Sequence, residues 1–128
     1  MRLCRTNIIE GDIWQLSIEG PCLNAACVEF MRTTTQSAIS MNARGVIIDV
    51  QLVERLDPLG LAGLTSLSKE FTSRTHIVLA GLRGHMQELA LILHLHEIFD
   101  IYEDTHAAVV DMNADDESLR GRENAAHD

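Results

Sequence analysis

The chain has 128 residues, 46% hydrophobic and 23% charged, which suits one folded domain and leaves no room for two. Nineteen acidic residues against ten basic ones give a formal charge of −9 at pH 7. That balance argues against a surface that grips nucleic acid through Lys and Arg on phosphates, and against docking on an anionic membrane.

No apolar run approaches the roughly 18 residues that span a bilayer, so no direct membrane insertion is expected. The first ten residues, Met1 to Glu10, include Asn7 and Glu10 and lack the apolar core of a secretion signal. Cys4, Cys22 and Cys27 form no Cys-x-x-Cys pair, and their odd number leaves at least one thiol unpaired. Both features fit a reducing, cytoplasmic setting with the thiols acting as small apolar side chains. Five aromatics in the whole chain give no scope for a platform that stacks single-stranded bases.

Residues 4–9 form a weak strand, and Ile13-Trp14-Gln15-Leu16-Ser17-Ile18 a stronger one. Glu10-Gly11-Asp12 supplies the turn of a hairpin between them. Gly20-Pro21 breaks the second strand. Asn24 then stands at an N-cap position ahead of an amphipathic helix. Cys27, Phe30, Met31, Thr34 and Ala38 are expected on its inner face, and Glu29, Arg32, Thr33 and Gln36 on its outer one. Asn42 and Gly45 close that region. Val46-Ile47-Ile48-Asp49-Val50 is almost wholly apolar, as a strand buried on both faces requires.

Asp57-Pro58 is a strong helix start, because the carboxylate accepts free amide protons and Pro at the first helical position forfeits no bond. Leu61, Leu64, Ser68 and Phe71 share one face of this second helix, with Gly60, Gly63 and Leu67 beside it. Each glycine costs about 1 kcal/mol against Ala, so close approach to the sheet or to a partner is the expected return. Ile77 to Ala80 is another apolar strand, closed by Gly81. A third helix runs through Met86, Leu89, Ala90, Ile92 and Leu93, and Ile98, Phe99, Ile101 and Tyr102 suggest a last short strand. Asp104 or Thr105 caps a final helix through Ala107, Ala108, Val109 and Met112.

Residues 111–128 hold six acids and two Arg with few apolar residues, the composition of a tail. The expected division is a domain over 1–112 and an acidic tail over 113–128. Helix-linked buried strands demand parallel pairing, and the opening hairpin adds an antiparallel edge. The fold class is therefore α/β: a mixed sheet of four or five strands flanked by about four helices.

The residues offer no catalytic constellation. His94 and His96 flank Leu95; two residues apart, they share a face only on a strand, and no Cys or carboxylate is taken to stand at ligand spacing. No metal site is expected. Cys22 and Cys27 lack any local signature of a nucleophile. Gly81-Leu82-Arg83-Gly84 lacks the spacing and the Lys of a phosphate loop. Asp49 and Asp57 have structural work at a strand end and a helix cap. No cofactor is implied.

Gly45-Val46-Ile47-Ile48-Asp49-Val50 followed by Asp57-Pro58-Leu59-Gly60-Leu61 resembles the signature of the STAS domain, the family of sulphate-transporter C-terminal domains and anti-sigma-factor antagonists. Gly20-Pro21-Cys22-Leu23-Asn24-Ala25, Val78-Leu79-Ala80-Gly81-Leu82, and Glu88 through Tyr102 agree in order and spacing, so the resemblance covers residues 6 to 112. Family antagonists place two hydroxyl residues between the Asp and the Gly that open the second helix, and a partner kinase phosphorylates the second. The equivalents here are Pro58 and Leu59, which carry no hydroxyl. The family's Asp before the first helix is Asn24, and a Gly common after the third helix is His94.

The resemblance implies a non-enzymatic regulatory domain that acts by binding protein. Its docking edge would comprise Asn24, Asp57, Pro58, Leu59, Gly60, Leu82 and Arg83. Thr65 and Ser66, the nearest other hydroxyls, are expected to be shielded by helical burial. Partners of the implied kinds are a switch-type kinase or anti-sigma factor, a sibling STAS protein, or the ATPase of an ABC transporter in which the chain is a subunit. A homodimer and a nucleotide or small ligand at the same edge stay open as alternatives.

Overall fold

A computed structural model describes residues 4–9 and 12–114. The chain begins with β1 (Cys4–Ile9) and β2 (Ile13–Ile18), which pair antiparallel from Cys4–Ile18 to Ile9–Ile13. The hairpin is as expected, although Glu10 and Gly11 of its turn lie outside the described residues. A two-residue strand β3 (Cys22–Leu23) leads into α1 (Ala25–Ser40). Then come β4 (Gly45–Asp49), the short β5 (Arg55–Leu56) and α2 (Pro58–Phe71). The order closes with β6 (His76–Ala80), α3 (His85–Ile92), a 3-10 turn at Leu95–Glu97, β7 (Asp100–Tyr102) and α4, helical over 105–114.

The main sheet has the order β1-β2-β4-β6-β7, parallel everywhere except at β1. The mixed α/β sheet read from the sequence is the observed architecture. The apolar run of β4 divides between two cores, as a strand covered on both faces must. Val46 and Ile48 face α1, α2 and α3, in one cluster with Trp14, Leu16, Met31, Leu64, Phe71, Leu79 and Met86. Ile47 faces the other way, with Ile13, Val78, Ala108 and Met112 beneath α4. Full burial of side chains such as Leu64, Leu67 and Phe71 contributes about 1.5–3 kcal/mol each.

Four details differ from expectation. Phe30 is 41% exposed, because Val28 and Thr35 take the inner positions of α1 beside Cys27 and Met31. Ile92 is 71% exposed, since α3 turns only Met86 and Ala90 fully inward and ends there. Ile98 and Phe99 precede the last strand, and Phe99 packs into the main core from the connection before it. The final helix begins where Asp104 Oδ1 accepts the Ala107 amide at 2.8 Å, and it continues through residue 114, past the expected boundary at 112. Arg44 ties it to the sheet by donating to Asn113 Oδ1 at 2.8 Å. The rest of the expected tail, 115–128, lies outside the described residues.

Candidate functional site

Three of the connections that leave the carboxyl ends of parallel strands concern this edge: β2 to α1, β4 to α2, and β6 to α3. Ends of this kind gather loops and helix N-termini on one edge of an α/β sheet. Asn24 and Asp57 cap the first two helices there. Asn24 Oδ1 accepts the Cys27 amide at 3.2 Å, and Asp57 Oδ1 accepts the Leu59 amide at 2.8 Å.

The two caps are locked together by the small β3–β5 ladder, in which Leu23 stands opposite Leu56. The Asp57 amide donates to the Leu23 carbonyl at 3.1 Å, and the Glu54 and Arg55 amides share the Pro21 carbonyl at 2.6 and 2.9 Å. Gly60 completes the contact, because a Cβ there would stand 2.1 Å from the Leu23 oxygen. At Gly63 a Cβ would meet the Val28 side chain at 2.4 Å, so the second glycine lets α2 lie close against α1. The glycines of α2 thus serve approach within the chain.

Pro58 at the first position of α2 is exposed, and Leu59 is 68% exposed, a large apolar side chain held in solvent on the first turn. On the β6 side, Gly81 takes φ +91 and turns the chain, and Arg83 is exposed and donates to Gln51 Oε1 at 3.5 Å. Leu82 is only 6% exposed and belongs to the main core, so it supports this edge from beneath. Gly60 is likewise buried. Of the seven residues expected at the edge, Pro58, Leu59 and Arg83 present exposed side chains, and Asn24 and Asp57 are half-buried.

Asp49 organises the edge from within, a role the sequence suggested only as structural work at a strand end. Its buried carboxylate accepts from Ser17 Oγ at 3.2 Å, from Gln15 Nε2 at 3.4 Å and from the Gln51 amide at 3.1 Å. Gly81 passes close by: a Cβ there would stand 3.1 Å from Gln51 Cβ and 3.2 Å from Asp49 Oδ1. Asp49 thus ties the turn after β4 to β2, and the turn after β6 passes beside it.

Helical burial does not shield Ser66, which is exposed, whereas Thr65 is half-buried and donates to the Leu61 carbonyl at 3.2 Å. The histidines also lie closer to a carboxylate than their spacing suggests. The His94 and His96 rings lie 6.0 Å apart on a turn that is not a strand, and Glu97 stands 3.6 Å from His94 Nδ1. Among the described residues these three alone bring three metal-ligating side chains together. They sit where the chain returns to begin β7, away from the edge that Asn24 and Asp57 cap.

The STAS domain model matches residues 6–108, and the chain belongs to that family. Solved structures share its fold at low identity. An anti-sigma factor antagonist from Mycobacterium paratuberculosis superposes with a TM-score of 0.70 at 15% identity, covering 86% of this chain and 92% of the other. A STAS domain protein from Planctomyces limnophilus gives 0.69 at 19%, covering 85% and 96%. The murine anion transporter Slc26a9 gives 0.64 at 19%, over 81% of this chain and 18% of the transporter. No curated protein matches the sequence. Among the described residues, no helix is long and apolar enough to cross a membrane.

Proposed function

We propose that this STAS domain is a non-enzymatic regulatory module of the anti-sigma-factor-antagonist kind, docking a protein partner through the edge at Asp57–Gly60. The observation that carries the reading is Leu59, 68% exposed on the first turn of α2, where relatives place the phosphorylated hydroxyl. A phosphate there adds about −1.5 to −2 charges and repels a closely docked partner. Leu59 offers an apolar contact in its place, and Pro58 carries no hydroxyl either. The domain therefore docks without that phosphate switch. Its partner is a switch-type kinase or anti-sigma factor, and its place of action is the cytoplasm.

The test is capture of partners from the native host on the wild-type chain, identification by mass spectrometry, and calorimetry with the purified partner. Leu59→Glu adds a charge that the N-terminus of a helix tolerates, so the variant folds. Buried unpaired against a partner, the same charge weakens binding by about a hundredfold or more. A folded variant that binds like the wild type places the interface elsewhere. Recovery of a transporter ATPase as the direct partner favours a STAS subunit of an ABC transporter instead.

A further inference from the structure

The turn between α3 and β7 holds a group that the docking edge does not use. His94, His96 and Glu97 are all exposed, and each offers a ligand atom within 4.8 Å of the other two. The backbone beneath them is fixed. Leu95, between the two histidines, is 1% exposed in the main core. The Glu97 amide donates to the His94 carbonyl at 3.1 Å, and the Ile98 and Phe99 amides donate to the Leu95 carbonyl at 3.0 and 2.9 Å. A buried plug and a closed turn thus carry three outward side chains on four consecutive residues.

The conformation at His94 makes the grouping. Its φ of 59 and ψ of 34 are left-handed, a region that favours Gly and costs a residue with a Cβ about 1–2 kcal/mol. Such strain persists where the surroundings impose it. Here it brings the two rings together although their positions are two apart, and it brings Nδ1 of His94 to 3.6 Å from Glu97 Oε1. Tetrahedral zinc with bonds of about 2.0–2.1 Å has ligand-to-ligand edges of about 3.4 Å, so this pair already stands near coordinating distance. A ligand nitrogen of the exposed His96 lies within 4.8 Å of ligand atoms of both.

We propose that His94, His96 and Glu97 form a surface site for a late first-row divalent cation of the Zn2+ type. Two imidazole nitrogens and one carboxylate oxygen hold the ion, and water fills the fourth position. Two imidazoles select such ions over Mg2+ and Ca2+, which take oxygen ligands. Because all three ligands come from one turn, binding requires no movement of the sheet or helices.

The test is calorimetric titration of the full reduced chain with ZnCl2, repeated with MgCl2. Saturable uptake of one Zn2+ is expected, with no uptake of Mg2+ at the same concentrations. His94→Gly removes a ligand while relieving the left-handed backbone, so its loss of affinity cannot come from misfolding. It and His96→Ala are expected to weaken Zn2+ binding at least tenfold, and Glu97→Gln to weaken it as well. His85→Ala, which removes an exposed histidine at the far end of α3, is expected to bind as the wild type does. No saturable uptake by the wild type, or wild-type affinity in both His94→Gly and His96→Ala, overturns the assignment.

Discussion

Gly60 and Leu23 meet backbone to backbone: the first turn of α2 rests on the carbonyl that also accepts the Asp57 amide at 3.1 Å. A methyl group at Gly60 has no space, since its nearest neighbours are the Leu23 carbonyl carbon and oxygen and not the end of a flexible side chain. Gly60→Ala is therefore expected to cost about 1–3 kcal/mol, the usual range for forced backbone shifts, despite Ala being the better helix former. Gly20→Ala is the control, because nothing lies within 4 Å of a Cβ there. Urea unfolding of the two variants decides the point; equal midpoints would show that α2 shifts away at little cost.

The caps predict a smaller effect. Asp57→Ala and Asn24→Ala each leave a first-turn amide without its side-chain acceptor, and each is expected to cost about 1 kcal/mol. Asp57→Asn retains an acceptor and is expected to recover most of the loss. An Asp57→Ala protein with an unchanged unfolding midpoint would remove the capping role.

Much of this arrangement was legible in the sequence. The apolar run from Val46 to Val50 announced a strand buried on both faces, and Asp57-Pro58 announced the helix that follows. The small β3–β5 ladder was not legible, because two-residue strands are too short for periodicity to register and their pairing is fixed by the Pro21 and Leu23 carbonyls. The exposure of Phe30 and Ile92 is not legible from apolar type alone, because Val28 and Thr35 occupy the inner face of α1 and only Met86 and Ala90 turn fully inward on α3. The His94–His96–Glu97 cluster was hidden by a backbone angle: left-handed φ at a residue with a Cβ carries no pattern in sequence.

Asp49 makes its own prediction. Its removal in Asp49→Ala leaves the Gln51 amide and the Ser17 hydroxyl without their acceptor, at a cost of about 1–3 kcal/mol. The turn after β4 loses its anchor, so amide exchange is expected to quicken at Gln51 more than in the strands. Uniform exchange across the sheet would mean that Asp49 contributes stability without positioning that turn.

Cys4 introduces a pH dependence. Burial, reinforced by the neighbouring Cys27 thiol, pushes its pKa from 9.0 up to about 12. The folded chain therefore keeps this proton after the unfolded chain has lost it. The contribution to stability is whole below pH 9 and falls as pH rises toward 12, by at most about 1.4 kcal/mol per pH unit. Denaturant titrations at pH 8, 9 and 10 are expected to show a steeper decline for the wild type than for Cys4→Ala. Parallel declines would show that the thiol is open to solvent.

Leu59 yields the prediction on which the docking edge turns. Neither Pro58 nor Leu59 has an oxygen to modify, so incubation with ATP and a STAS-directed kinase of the same host is expected to leave 57–60 unphosphorylated by intact mass and peptide mapping. Ser66 is exposed but lies in the middle of α2, where its backbone is helical and cannot extend into a kinase cleft. Leu59→Ser restores a hydroxyl at the relevant position while leaving the Asp57 cap and the exposed first turn in place. Because the Leu59 side chain is largely in solvent, this change is expected to move stability by no more than about 0.5 kcal/mol. If the edge still fits the kinase, Leu59→Ser accepts one phosphate there and loses affinity for its docked partner once modified. A wild-type chain that gains a stoichiometric phosphate within α2 would instead mean that the switch has moved along the helix.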